Sequence, residues 1–183
     1  MITSAHEAWR EARTLAEVAE LTALWLEGQL NYHPAYGNGP DNETAPLVAA
    51  LAAFNRAGFL TEFSQPGEAG SWGAQRAAVS GFCDEGVADL LYEVSTTSDL
   101  IVLCFRAGAL FHGQQAPVTR DSEGIAATWA GAPSDVEYLD TCYGHAGPQL
   151  VEMLSACWQV TVIDAQWGRD DLLWHTIRSA LGS

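Results

Sequence analysis

The chain has 183 residues, 48% of them hydrophobic, with 23 acidic residues against 8 basic ones and a net charge of -15. That is enough apolar material to bury one substantial core, and no uncharged apolar run approaches the roughly 18 residues of a membrane-spanning helix. So negative a chain repels phosphate backbones, which argues against nucleic-acid binding, and it slightly favours cationic ligands.

All eight basic residues are Arg, which together with abundant Ala and Gly suggests a bacterial genome of high GC content. The acids are dispersed rather than arrayed in runs, so mimicry of DNA is a weaker reading. The opening MITSAHEAWREAR carries charge where a signal peptide needs an apolar core, and the expected compartment is the cytoplasm. There Cys83, Cys104, Cys142 and Cys157 are expected to be reduced and buried as small hydrophobes.

Residues 1–30 read as an N-terminal helical segment preceding an α/β core over 31–183, the whole forming one domain. Ser4 with Glu7 and Thr14 with Glu17 have the spacing of capping boxes. Leu15, Val18, Thr22, Trp25 and Leu26 follow at helical intervals. The loop NYHPAYGNGPDN leads to a second helix starting near Asp41 to Thr44, with Pro46 in its first turn. Leu47, Ala50, Leu51 and Phe54 give it an apolar face, and Gly58 suits its end.

Strands are expected at 59–64 and 75–82, joined by the turn PGEAGSWG. A helix with Val87, Leu90, Leu91 and Val94 in register comes next, then a strongly buried strand, LIVLCF. Residues 107–145 look loop-rich, with short strands at ALFH, IAATW and VEYL. The remainder reads helix (Leu150, Met153, Leu154, Cys157), strand (WQVTVID) and helix (Leu172, Leu173, Ile177, Leu181). The sum is a mixed α/β domain, α+β in type, with helices covering a central sheet.

Motifs for chemistry are sparse. Cys142 and His145 are spaced C-x-x-H without a second pair nearby, so a mixed-polarity turn is the better reading and no metal is expected. No G-x-S-x-G elbow occurs, and GNGP at 37–40 lacks a strand leading in and has Pro40 where a dinucleotide loop would enter its helix. His33 and His112 sit near glycines and are candidates to line a pocket. The acid–base candidates are Glu43, His112, Asp140 and His145.

Taken in order, several blocks resemble one family. ET at 43–44, FNRAGFLTEFSQPG at 54–67, SWG at 71–73 and QRAAVSGF at 75–82 are similar to the C-terminal regulatory domain of eukaryotic-type methylenetetrahydrofolate reductase. WLEGQL at 25–30, TW at 128–129 with Pro133 and Thr141, and WQVTVIDAQWGRDDLLWHTIRSAL at 158–181 extend the likeness to most of the chain from Trp25 onward. The catalytic barrel and flavin site of that family have no counterpart here, so the chain is not the reductase and no flavin is expected.

The resemblance implies a ligand, S-adenosylmethionine (SAM) or S-adenosylhomocysteine (SAH), contacted by Glu43, Thr44, Thr61, Ser64, Thr128 and Thr141. Gln65, Trp72 and Trp129 are added as candidate lining residues, either Trp offering a face to the sulfonium. The implied role is a stand-alone regulatory sensor acting on a separate protein partner. Two alternatives stand beside it: an interaction protein that kept the fold and lost the ligand, its acidic surface meeting a basic partner, and a small SAM-using enzyme. The N-terminal helix either replaces the family's linker or makes a homodimer contact. This chain departs from the family at Glu62-Phe63, where the family has Ile-Asn and where the strand's outward face is expected to change. It departs again in the shortened GEAG loop and at Ala78, in place of Tyr.

Overall fold

Local capping sets the beginning of the chain. In the computed structural model, which describes residues 4–107 and 114–182, both capping boxes form: Ser4 caps α1 (Ala5–Glu11) and Thr14 caps α2 (Leu15–Leu26). A 3-10 turn at Asn42–Leu47 takes Pro46 and runs into α3 (Val48–Arg56). Gly58 lies just past that helix with φ +92°, a conformation that glycine reaches without steric cost.

The remaining elements are β1 (Leu60–Gln65), β2 (Glu68–Gly70), β3 (Gly73–Gln75), β4 (Ala78–Cys83), α4 (Glu85–Thr97), β5 (Leu100–Arg106), β6 (Ala116–Asp121), β7 (Ala126–Ala130), α5 (Val136–Tyr143), α6 (Pro148–Ser155), β8 (Trp158–Asp164) and α7 (Leu172–Leu181). The mixed α+β class expected from the sequence is the observed one. The strands divide between two antiparallel four-stranded sheets, ordered β1-β4-β8-β5 and β2-β3-β6-β7.

Three sequence expectations change. The segment 75–82 is not one strand: β3 belongs to the second sheet, and the chain crosses over at Arg76-Ala77. There the Arg76 amide donates to Val118 of the second sheet, and the Ala77 carbonyl accepts from Asp164 at the end of β8. VEYL is helical, because Asp135 caps α5 through the Tyr138 amide and burial falls on Leu139 and Tyr143, four residues apart. LIVLCF is an edge strand, buried at Leu100 and half-buried over the next five residues. The ALFH segment lies outside the described residues.

The two faces of the first sheet are packed differently. Along β4, Val79 and Cys83 point into the larger core with Trp25, Leu51, Phe54, Leu91, Val160 and Ile177, from α2, α3, α4, β8 and α7. On the opposite face, Phe82 joins Leu139, Leu150 and Leu154 beneath α5 and α6, while Ala78 and Ile163 meet Val118 of the second sheet. Between those two contacts lies a polar stripe, Ser80, Gln159 and Thr161, with the Thr161 hydroxyl 3.0 Å from that of Ser80. All four cysteines are free.

One irregularity governs β1. Thr61 pairs with Gly81 and Phe63 with Ser80, so Glu62 is an extra residue, a β-bulge. The close approach needs Gly81, since a Cβ there would lie 2.2 Å from the Leu60 carbonyl oxygen. Gly81→Ala is expected to destabilise the fold by about 3 kcal/mol, the upper part of the overpacking range, read as a lower urea midpoint at an unchanged m-value.

Candidate functional site

In a regular strand Thr61 and Ser64 would face opposite sides of the sheet. The bulge at Glu62 changes that: Thr61 is opposite Gly81 and Ser64 opposite Val79, so both point to the face that carries α2 and α3. They line a cavity of about 350 Å³ with Glu43 and Thr44 from the 3-10 turn, Thr22, Trp25 and Leu26 from α2, Leu51, Tyr36 and Gln65.

Several of these groups are held rigidly. Asn55, fully buried, donates to the Thr61 hydroxyl at 2.7 Å and to the Leu51 carbonyl at 2.8 Å, and accepts the Thr61 amide at 3.1 Å. Because the Thr61 hydroxyl accepts from Asn55, its own proton is free to be donated elsewhere. Gln65 donates to the carbonyls of Arg76 and Val118, at 2.7 and 3.0 Å, tying the two sheets together and leaving only its carbonyl oxygen for a ligand. The Trp25 and Tyr36 rings stack at 5.7 Å and 23°, and Trp25 is fixed by its bond to the Gly37 carbonyl.

A second cavity, about 560 Å³, adjoins the first and shares Tyr36, Glu62 and Phe63 with it. It opens on the other face of the sheet, over Ser80 and Gln159, and is closed by Trp129 to Asp135 and by Tyr138. The Tyr36 hydroxyl donates to the backbone carbonyl of Glu62, which the bulge takes out of the ladder. The Glu62 side chain is not on an outward face, as the sequence suggested. The bulge turns it inward, where Oε2 accepts a long bond of 3.4 Å from Gln159 and Oε1 is buried with no partner among the described residues.

Burial pushes the Glu62 carboxyl up to about 7; the nearby Tyr138 hydroxyl works in the opposite direction. Burial first and the Glu62 charge second raise Tyr36 and Tyr138, so both phenols stay protonated. His33 is buried among the rings of Trp9, Trp25, Tyr36 and Tyr143, where desolvation drives it down to about 3 and keeps it neutral.

The other sequence candidates are dispersed. Thr128 is on β7 with its hydroxyl 2.6 Å from that of Thr119, and Thr141 is on α5, donating to the Glu137 carbonyl. Neither lines either cavity; nor does Trp72, half exposed on the β2–β3 hairpin. Trp129 lines the second cavity. Asp140 and His145 line neither, His145 being bonded to the Tyr32 hydroxyl at 2.8 Å. His112 lies outside the described residues. Among the described residues no group of three His, Cys, Asp or Glu side chains is arranged to hold a metal ion, and no helix is long and apolar enough to cross a membrane.

Sequence reasoning missed Asn55, Tyr36, Tyr138 and Gln159. Two of them left a signal: Asn55 interrupts the apolar stripe of α3, and Gln159 alternates with valines in WQVTVID.

Compared with known proteins, the chain matches over residues 4–183 a family defined by its sequence and described as Domain of unknown function (DUF6919), and it belongs to that family. No curated protein matches.

Two predictions follow from the shared wall. Asn55→Ala leaves the Thr61 amide buried without an acceptor and is expected to cost about 2 kcal/mol, measured by urea unfolding. Glu62 is protonated more readily in the folded chain than at its unfolded value of 4.5, so its contribution to stability is complete below pH 4.5 and lost as pH rises through about 7. Relative to Glu62→Gln, the wild type is expected to lose up to about 3 kcal/mol across that window, seen as diverging unfolding midpoints from pH 4 to pH 8.

Proposed function

We propose that this protein is a cytoplasmic SAM- or SAH-binding module, a stand-alone relative of the methylenetetrahydrofolate reductase regulatory domain that reports methyl-donor supply to a separate protein partner. The observation that carries this reading is convergence. Glu43, Thr44, Thr61 and Ser64, nominated from the resemblance, and Gln65, added as a lining candidate, line one cavity although they come from two elements and Thr61 and Ser64 depend on a bulge to share a face.

The chemistry of the lining suits such a ligand. The Glu43 carboxylate can accept from an ammonium or a ribose diol in charge-assisted bonds. Thr61, with its proton directed away from Asn55, serves as a donor to a ligand oxygen. The stacked pair Trp25 and Tyr36 offers a flat wall to adenine. A volume of about 350 Å³ is in the range of small-molecule sites, roughly 300–1,000 Å³.

A second reading draws on the placement of Thr128 and Thr141 away from both cavities. It is a protein that kept the fold, changed or lost the ligand, and works through its acidic surface on a basic partner.

Calorimetric titration with SAM and SAH separates the two. Micromolar binding of either ligand, weakened at least tenfold in Glu43→Ala, is the expected result, and at a hundredfold excess over Kd it stabilises the fold by about 2.7 kcal/mol. Silence with both ligands, and no rise in Tm, overturns it in favour of the second reading.

A further inference from the structure

The second cavity has features that the SAM reading does not use. Among the described residues six Phe, Tyr and Trp side chains are exposed by more than a third, and four of them, Tyr36 (44%), Phe63 (38%), Trp129 (51%) and Tyr138 (45%), line this one cavity. Exposing that much aromatic surface in one place is costly unless something covers it. The rings come from four separate segments: the loop before α3, β1, β7 and α5. Tyr36 finds its ring partners in Trp25 and His33, on its other side, rather than in the three rings across the cavity.

Glu62 lines the same cavity, its carboxyl beside the Tyr138 hydroxyl. Its Oε1 is buried and accepts no hydrogen bond from any described residue; the carboxyl otherwise has the long contact from Gln159 to Oε2 and the Tyr138 hydroxyl close by. A buried carboxylate is costly unless its charge is paired, so Glu62 is a ready counter-charge for a cation in the cavity. None of the lining side chains is cationic, and Asp135 at the rim adds a second carboxylate. Asp135 caps α5 through one oxygen and so is fixed in place.

We propose that this second cavity is a binding site for a small free onium cation, a methylated ammonium or sulfonium compound. The faces of Trp129, Tyr36, Tyr138 and Phe63 attract the diffuse positive charge through their ring quadrupoles, and the Glu62 carboxylate supplies the counter-charge. Methylated onium ions suit such a lining because they carry charge without N–H donors, and need flat electron-rich walls rather than a ring of acceptors. A carboxylate removed from water gains more from a nearby cation than a solvated surface acid does. The inference does not rest on SAM occupying the first cavity; it stands if that cavity binds nothing.

The ionisable groups that face Glu62 are Tyr36 from the preceding loop, Tyr138, Cys142 and Tyr143 from α5, and Asp135 at the rim. The three phenols and the thiol are all raised by burial, and His33 behind Tyr36 is held neutral, so Glu62 is the group whose ionisation governs the site near neutrality.

The test is a ligand-observed NMR titration of the full chain with choline and with 3,3-dimethylbutan-1-ol, the neutral isostere in which carbon replaces the ammonium nitrogen. At pH 8 choline is expected to bind at least tenfold more tightly than the isostere. Its affinity should be about tenfold lower at pH 6, following a carboxyl that titrates at about 7. Glu62→Gln, which keeps the side-chain shape and relieves a buried charge, should abolish the preference for choline over the isostere. Trp129→Ala, on an exposed part of β7, should weaken choline several-fold with circular dichroism unchanged. Equal binding of choline and the isostere would reduce the cavity to an apolar cleft and overturn the proposal. So would failure of choline to bind at millimolar concentration, or an unaltered preference in Glu62→Gln.

Discussion

An extra residue in one strand organises this protein. Glu62 bulges out of β1 opposite Gly81, and strict alternation is lost over Thr61 to Gln65. A bulge shifts every later side chain by one position relative to the partner strand, which brings Thr61 and Ser64 to the same face. Three neighbours hold the distortion in place. Gly81 provides the space, Tyr36 satisfies the carbonyl that the ladder gives up, and Asn55 clamps the residue before the bulge. Because Asn55 also binds the Leu51 carbonyl, the strand is tied directly to the last turns of α3.

The bulge also explains why the two cavities share a wall. Side chains on one side of β1 meet α2 and the 3-10 turn, and those on the other meet the space between the second sheet and α5. That space exists because the first sheet is covered on this face by two unlike bodies. Ala78 and Ile163 meet the second sheet at one end, Phe82 meets the helices at the other, and neither body reaches the middle. The strands put Ser80, Thr161 and Gln159 where the cover is missing, so the polar stripe and the gap coincide. A pair of strands buried along all but Trp158 thereby carries hydrogen-bonding groups beside a partly unsatisfied carboxyl.

The helices were the most legible part of the chain in sequence, since caps and 3.6-residue periodicity are written in neighbouring residues. Both capping boxes form as read, and the stripes of α2, α3, α6 and α7 face the cores. The strands were less legible. VEYL alternates like a strand, yet the cap at Asp135 and the burial of Leu139 and Tyr143 make it helical. The segment 75–82 has strand propensity throughout, but backbone partners in two different sheets split it at Arg76-Ala77. Of the site, Glu43, Thr44, Thr61 and Ser64, named from the resemblance, share a cavity with the lining candidate Gln65, while Thr128 and Thr141 lie elsewhere. Glu62, read as an outward departure from the family, faces inward.

Sequence by itself determined the α+β class, the capped helices, the acidic charge and the polar set around LTEFSQ. These depend on residue type and short-range spacing, which the chain carries without reference to its partners. Tertiary structure alone decided the division into two sheets, the partners of Asn55 and Tyr36, and the inward turn of Glu62. A bulge is a mismatch between two strands, and whether it forms depends on the residue across the ladder. Here that residue is Gly81, twenty positions from Thr61 in the chain and directly opposite it in the sheet.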